Sequence, residues 1–337
     1  MRRILVTGRG GQLATGLEAA LPALGFEALL VGQPEFEFDK PETVVAAFQA
    51  LKPDAVVNCA AWMAVDAAED NEAGAFRANA LGPALLGRLS RDAGIPIIQI
   101  STDYVFDGLN GAPYLESDAP NPLGAYGRTK LAGEWAAQAA NPRCIVLRTA
   151  WVFAPMGKNF LRTMLALGEQ RPELRVVADQ WGSPTAAPDL ADAIAAILGR
   201  IRGEGWRDDF AGTYHATGGG FTNWHSFAEA IFTESARHGG PRPKVHAITT
   251  AEYPTKAKRP ADGRLDNGKL GRVFGVALPP WEAGLARVMA ALCIQQLERS
   301  PPARLSPKLN AMTGAAHSAP DRMRHLPIFT VRGGNEA

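Results

Sequence analysis

The chain has 337 residues, 46% of them hydrophobic, and a formal net charge of +1 from 35 basic and 34 acidic residues. That length suits one large α/β domain with an added lobe, or two ordinary domains, and the apolar content argues against general disorder. The charge balance argues against a nucleic-acid binder that relies on a broad basic surface. Three widely spaced cysteines, Cys59, Cys144 and Cys293, read as free thiols of a reducing cytoplasm rather than a disulfide framework. The six histidines lack zinc-ligand spacing. No run reaches the ~20 apolar residues of a membrane span. The apolar run after Met1-Arg2-Arg3 stops at Thr7-Gly8, too short for a signal-peptide core.

In chain order, β-rich runs alternate with helical stretches. Residues 4–7, 27–31, 55–58, 95–101 and 144–149 read as buried strands. Residues 13–24, 41–51, 72–93 and 129–140, rich in Ala, Leu and Glu, read as the helices between them. This alternation predicts a doubly wound parallel sheet of the Rossmann type, with a ligand crevice beyond the carboxyl ends of its strands. Past Trp151, residues 159–170, 188–198 and 221–237 read as helices, and 174–178 and 213–216 as strands. The expected division is a dinucleotide-binding domain over 1–150 and a smaller substrate-binding lobe over 151–290. Residues 174–216 partly return to the first domain. A flexible tail is expected over 291–337, where 326–331 has the pattern of a short docked strand.

A glycine-rich turn, Gly8-Arg9-Gly10-Gly11-Gln12-Leu13-Ala14, follows the first strand directly. Gly8 suits a tight turn closed to bulkier residues. Gly11 lets the backbone approach a pyrophosphate, Ala14 lets the helix pack near the strand, and free N–H groups at the helix start meet the phosphate charge. Position between a strand and a helix is what gives this short motif weight. Further on, Tyr126-Gly127-Arg128-Thr129-Lys130 places a lysine one helical turn beyond a tyrosine, alone among the five tyrosines. An ammonium near a phenol is expected to lower the tyrosine pKa and ready it for proton exchange with a carbonyl. Upstream, Ser101-Thr102-Asp103-Tyr104-Val105-Phe106 leaves an apolar strand at the expected crevice. Between the two motifs, Pro113, Pro120 and Pro122 suit a loop reaching over a substrate.

These segments, with Asn58-Cys59-Ala60-Ala61, resemble the extended short-chain dehydrogenase/reductases. Further segments are similar to one family among them, the dTDP-4-dehydrorhamnose reductases. These are residues 64–69, Arg148-Thr149-Ala150-Trp151-Val152-Phe153, Asp179-Gln180-Trp181-Gly182-Ser183-Pro184-Thr185, Tyr253-Pro254-Thr255 and residues 259–265. The likeness spans about 1–289. It implies reduction of the C4 keto group of a nucleotide-linked sugar by NAD(P)H, with no membrane or nucleic-acid partner, and it allows a homodimer. By the same resemblance Tyr126 is the general acid, Lys130 holds the nicotinamide ribose, and Thr102 assists at the reacting oxygen. Gly8, Arg9, Gly11, Gln12, Leu13, Ala61, Trp62, Met63 and Tyr104 match cofactor contacts. Thr102, Asp103, Trp151 and Arg259 match substrate contacts, Arg259 toward the diphosphate.

Two departures from the family pattern bear on cofactors. After the second strand, where NAD-preferring folds carry an acid, the sequence reads Val31-Gly32-Gln33-Pro34, with Glu35 and Glu37 beyond. Arg9 is placed to meet a 2′-phosphate, which favours NADPH and leaves NADH open. Gly16 stands where some members carry a glutamate associated with magnesium, with Glu18 two residues on; no metal is expected. A reductase or epimerase of another nucleotide sugar, and a non-catalytic subunit of the same fold, remain open alternatives at this point.

Overall fold

The computed structural model describes residues Met1–Arg299. The N-terminal portion comprises β1 (Arg3–Thr7), α1 (Gln12–Ala23), β2 (Glu27–Val31), α2 (Pro41–Leu51) and β3 (Ala55–Asn58). The short helices α3 (Val65–Ala68) and α4 (Glu72–Phe76) follow, then a wider π-turn over Arg77–Leu81 and α5 (Gly82–Asp92). Next come β4 (Ile97–Thr102), α6 (Ala125–Ala140) and β5 (Cys144–Thr149). The chain continues through β6 (Val152–Phe153), α7 (Phe160–Gln170), β7 (Glu173–Val177), β8 (Trp181–Gly182), β9 (Thr185–Ala186), α8 (Ala187–Glu204) and β10 (Gly212–His215). It ends with β11 (Thr222–Asn223), α9 (Trp224–Arg237), β12 (Lys244–Ile248), α10 (Gly268–Phe274) and α11 (Trp281–Arg299).

Six strands form one parallel sheet in the order β10-β5-β4-β3-β1-β2. Alternating side chains in each strand feed opposite faces. Ile4, Val6, Val57, Ile98, Ile145 and Leu147 pack under α1 and α8, against Leu17, Leu190 and Ile194. Leu5, Val56, Ile97 and Val146 pack under α2, α5 and α6, against Val44, Phe48 and Leu86. Burial on both faces is why these strands read as continuous apolar runs rather than alternating ones. The order reverses between β1 and β3, so the crevice of such a sheet opens above those two strand ends.

A second core joins Phe153, Leu161, Met164, Leu174, Val176, Phe227, Ile231, Phe232, Trp281 and Leu285. It belongs to the later elements, among which β7 pairs with β12. Within the stretch 174–216, expected to return in part, the return is uneven. The helix α8 and strand β10 rejoin the large sheet, whereas β7 lies in a separate two-stranded sheet. The segment 268–278 also returns, through Leu270, Phe274 and Leu278. The expected tail boundary moves as well. Residues 291–299 continue α11, and the rest of that stretch, including 326–331, lies outside the described residues. Among the described residues no helix is long and apolar enough to cross a membrane.

Candidate active site

The glycine turn forms as its sequence requires. Gly8 has φ +80°, and a Cβ there would stand 3.2 Å from the Ala60 amide nitrogen. Any larger residue would therefore both strain the turn and push apart the ends of β1 and β3. The Gly11 amide donates to the Gly8 carbonyl at 2.9 Å. Gly11 caps α1 without a side chain, and the first turn of α1 carries no acid. The amides there face outward under a favourable dipole, which fits a dinucleotide pyrophosphate. Leu13 and Ala14 are buried beneath it. The Gln12 side chain is committed elsewhere, accepting from Asn159 Nδ2 at 2.8 Å, so Gln12 and Leu13 offer a ligand their backbone.

Arg9 does not stand free. Its guanidinium donates to Glu35 at 2.6 Å and to the Gln33 carbonyl at 3.3 Å. The residue expected to read a 2′-phosphate is thus held by an acid from the loop after β2. Glu35 sits below its usual carboxylate range through a hydrogen bond at its own backbone amide and another from Arg9.

Beyond β3, Thr7 Oγ1 accepts from the Ala60 amide at 3.0 Å and donates to Asn58 at 2.5 Å; Asn58 donates to Gln99 at 2.7 Å. This chain of buried polar groups sets the path of Ala60 and Ala61. Trp62 is clasped by Asn79, which accepts from its amide at 2.8 Å and donates to its carbonyl at 3.2 Å and to Thr129 at 3.1 Å. Met63 is largely exposed. Asn79 lies in the π-turn that interrupts the single helix expected over 72–93. Its signal in the sequence is faint: a polar residue at a buried helical position.

The helix α6 begins at Ala125, not at residue 129, so Tyr126 lies in its first turn. Gly127 makes this possible, since a Cβ there would collide with the Tyr104 carbonyl. The helix start therefore closes onto the end of β4. Tyr126 packs edge-on to Tyr104, ring centroids 5.5 Å apart, among Trp62, Val65, Ala68 and Ala125. Thr102 Oγ1 donates to Asp103 Oδ1 at 2.9 Å and accepts from the Tyr104 amide at 3.2 Å. The Tyr126 phenol lies near this hydroxyl, which favours its ionised form. Lys130 Nζ donates to the Ile100 carbonyl at 2.6 Å, which leaves two of its three protons for a ligand.

The expected tuning of Tyr126 by Lys130 is not what this arrangement produces. Burial pushes the Tyr126 pKa well above its ordinary value, opposed by the nearby Thr102 hydroxyl and reinforced by Asp103 and Tyr104. Lys130 is instead lowered to about 8, chiefly by burial, with Glu134 and Cys59 opposing. Tyr126 and Lys130 share a face of α6, and desolvation dominates the shift of each. Tyr104 is likewise raised to about 12 by burial.

Beside these groups is a cavity lined by Asp103, Tyr104, Trp151, Trp181, Trp224 and Arg259, among others. Trp151 has φ +47°, a strained conformation for a bulky residue. It lies flat against Trp224, ring centroids 3.5 Å apart, over Gly182, where a Cβ would collide with it. Trp181, Trp224 and Gln180 were missed from the sequence; nothing in local spacing marks which tryptophans share a cavity. Arg259 Nη2 donates to Asp66 at 3.0 Å, so this arginine is engaged rather than waiting free. The proline-rich loop is pinned to the segment around Arg264 and Asp266. Tyr114 stacks on Phe106 at 4.0 Å, donates its amide to the Arg264 carbonyl at 2.8 Å, and accepts from the Asp266 amide at 2.9 Å. Among the described residues no three His, Cys, Asp or Glu side chains converge as metal ligands. Gly16 packs on α8, where a Cβ would lie 3.1 Å from Ala191 Cβ.

Residues 1–294 match the family model described as the RmlD substrate binding domain. The dTDP-4-dehydrorhamnose reductase of Sinorhizobium fredii is 42% identical over 294 residues, 87% of this chain and 98% of that one. The protein of the same name from Escherichia coli K12 is 40% identical over 86% and 97%. Among solved structures, the Clostridium acetobutylicum dTDP-4-dehydrorhamnose reductase superposes with a TM-score of 0.79 at 37% identity, covering 86% of this chain and 99% of that one. The Bacillus anthracis enzyme, solved in complex with NADP, also gives 0.79, at 31% identity over 86% and 100%. With glycine turn, tyrosine helix and tryptophan cavity on one sheet, and near-complete coverage of such relatives, the chain belongs to the dTDP-4-dehydrorhamnose reductase family of Rossmann-fold oxidoreductases.

Proposed function

We propose that this chain is an NADPH-dependent reductase that converts dTDP-4-dehydro-L-rhamnose to dTDP-L-rhamnose in nucleotide-sugar biosynthesis, working in the cytoplasm. One observation supports the reading: Lys130 Nζ bonds the Ile100 carbonyl of β4, and Thr102, at the end of that strand, lies near the Tyr126 phenol, in a chain collinear with reductases over nearly their whole length. Bound NADPH supplies a hydride to the sugar C4 carbon. The chain's own residues supply the rest. Gly8 and Gly11, with the Gln12 and Leu13 amides, hold the pyrophosphate; Ala61, Trp62, Met63 and Tyr104 line the path to the nicotinamide; Lys130 holds its ribose. Arg9 is the group available to a 2′-phosphate.

Tyr126 gives its hydroxyl proton to the C4 oxygen, keeping the bonding electrons as phenolate. Burial keeps that phenol protonated at neutral pH, so the acid is loaded before substrate arrives. Asp103, Trp151 and Arg259 orient the sugar and its diphosphate in the adjoining cavity. Rate of NADPH oxidation by the full chain is measured with dTDP-4-dehydro-L-rhamnose beside a panel of other 4-keto nucleotide sugars. Turnover confined to another sugar would replace the substrate. No oxidation with any of them would leave a binding scaffold of the same fold.

A further inference from the structure

Helix α6 starts without a cap of its own. The first amides of a helix have no partner inside it, and Ser, Thr, Asp or Asn at the preceding position normally supplies one. Here that position is Gly124, which has no side chain to offer, and the first turn carries no acid. The acceptor comes from a distant part of the chain. The Ala125 amide donates to Glu69 Oε1 at 2.8 Å, across 56 positions. Gly124 is what allows this, since a Cβ there would stand 2.6 Å from the same oxygen. A conventional cap and Glu69 exclude each other.

Glu69 directly follows α3, and α3 reaches Tyr126 in a second way. Val65 and Ala68 pack with Ala125 and the Tyr126 ring in one apolar cluster. One short segment thus takes hold of the ring of Tyr126 and of the backbone just before it. That segment is itself tethered to residues 256–259. Asp66 accepts from the Ala257 amide and from Arg259 Nη2, each at 3.0 Å, and Lys256 reaches Asp70. The other acid bound to the start of α6 is Glu72, paired with Arg128. Both of those side chains are well exposed, and such pairs contribute little. Glu69 is part-buried and accepts from a backbone amide, which cannot swing away. Its carboxylate also meets the favourable end of the helix dipole.

We propose that Glu69 is a positioning residue for the reduction: it fixes the first turn of α6 and thereby aims the Tyr126 hydroxyl at the sugar C4 oxygen. The proposal rests on the reductase reading above. Glu69 exchanges no proton; its part is to accept one amide hydrogen bond. Misplacing a reacting group by about 1 Å costs up to ~10²-fold in rate.

Glu69→Ala is therefore expected to lower kcat by about 10–10²-fold. Glu69→Gln, whose side-chain oxygen accepts the same hydrogen bond, should keep most of the rate. NADPH should bind both variants about as tightly as wild type in direct titration, since Lys130 keeps its own hold on the Ile100 carbonyl. The decisive arm is a double variant. With Tyr126→Phe already in place, Glu69→Ala should change the residual rate little, because the group it aims is gone; a merely structural defect would slow both backgrounds alike. If Glu69→Ala folds poorly, Gly124→Ala makes the same test with Glu69 in place. Its added methyl pushes the carboxylate off the Ala125 amide, and kcat should fall in the same way. Full kcat in folded Glu69→Ala or Gly124→Ala, equal losses in both backgrounds, or a Gln variant as slow as the Ala variant overturns the proposal. Wild-type protein that oxidises no NADPH with any keto sugar sinks the reductase reading instead. A last readout needs no turnover. In ligand-free protein the Ala125 amide should exchange its hydrogen at least about tenfold faster in Glu69→Ala, and near the wild-type rate in Glu69→Gln. Unchanged protection at Ala125 also overturns it.

Discussion

Glu134 lies one turn beyond Lys130 on α6 and is 1% exposed. It accepts from Arg148 Nε at 2.9 Å, from Arg148 Nη2 at 2.7 Å, and from Ser101 Oγ at 2.5 Å. Arg148, 4% exposed, lies 5.0 Å over the Phe106 ring. This pair ties α6 to β4 and β5, and so holds Tyr126 and Lys130 over the strand ends. Glu134→Ala removes the acceptor of three hydrogen bonds and strands a guanidinium whose Nη1 already lacks a partner. Breaking a buried pair from one side costs ~3–5 kcal/mol, a large share of the ~5–15 kcal/mol that stabilises a folded domain. Urea unfolding at neutral pH should register that loss. The double variant Glu134→Leu, Arg148→Met leaves neither charge behind and should recover most of it. Its chemistry should still suffer. Lys130 faces Glu134 and Cys59, both of which support its ammonium against burial. Without Glu134 the Lys130 pKa falls below about 8, and activity is lost at lower pH than in wild type. A Glu134→Ala variant within about 1 kcal/mol of wild type would refute the structural reasoning. An unmoved alkaline limb in the double variant would refute the electrostatic link.

Tyr126→Phe should lower kcat by ~10²–10⁴-fold while NADPH still binds in direct titration; turnover within a few-fold of wild type would place the proton source elsewhere. Lys130→Met should damage both turnover and cofactor binding, and Thr102→Val should cost less than either, about 0.5–1.5 kcal/mol of barrier or up to ~3 if the bonded oxygen is charged. Arg9→Ala should weaken NADPH relative to NADH by up to about fivefold, the scale of an exposed ion pair, and Glu35→Ala, which frees Arg9, should shift preference the other way; equal effects on both cofactors would show that Arg9 does not read the 2′-phosphate. Asp103 binds its proton in the folded chain up to about 7 but only to about 3.8 when unfolded, so folded protein holds more protons across that window and wild-type stability falls as pH rises through it. Asp103→Asn should lack this fall and melt higher than wild type at pH 8; identical pH profiles of melting would show that the carboxyl is ionised in the fold.

The strands were legible because both faces of the sheet are buried. Runs such as Ile4 to Val6 and Val56 to Val57 carry apolar residues toward α1 on one side and toward α2 and α5 on the other. The glycine turn was legible because a positive φ at Gly8 leaves few alternatives. Less could be read where long-range packing decides. Residues 174–177 form a strand, but its partner is β12, some seventy residues later, and no local period tells which sheet a strand joins. The start of α6 was placed late because Pro113, Pro120 and Pro122 read as loop. Its true start depends on Gly127 meeting the Tyr104 carbonyl. Asn79, Trp224 and the Glu134–Arg148 pair escaped notice for the same reason: their roles lie in contacts across the fold.

The pairing of Tyr126 with Lys130 shows how spacing can place two groups without describing their chemistry. Four residues on a helix bring side chains to one face, and that much holds. The ammonium, however, is tied to the Ile100 carbonyl, and its charge is set by burial, Glu134 and Cys59. A reductase needs a phenol that is protonated before substrate binds, not one already ionised, and a buried Tyr126 meets that need directly. The same burial makes the spent phenolate costly and cuts it off from bulk water.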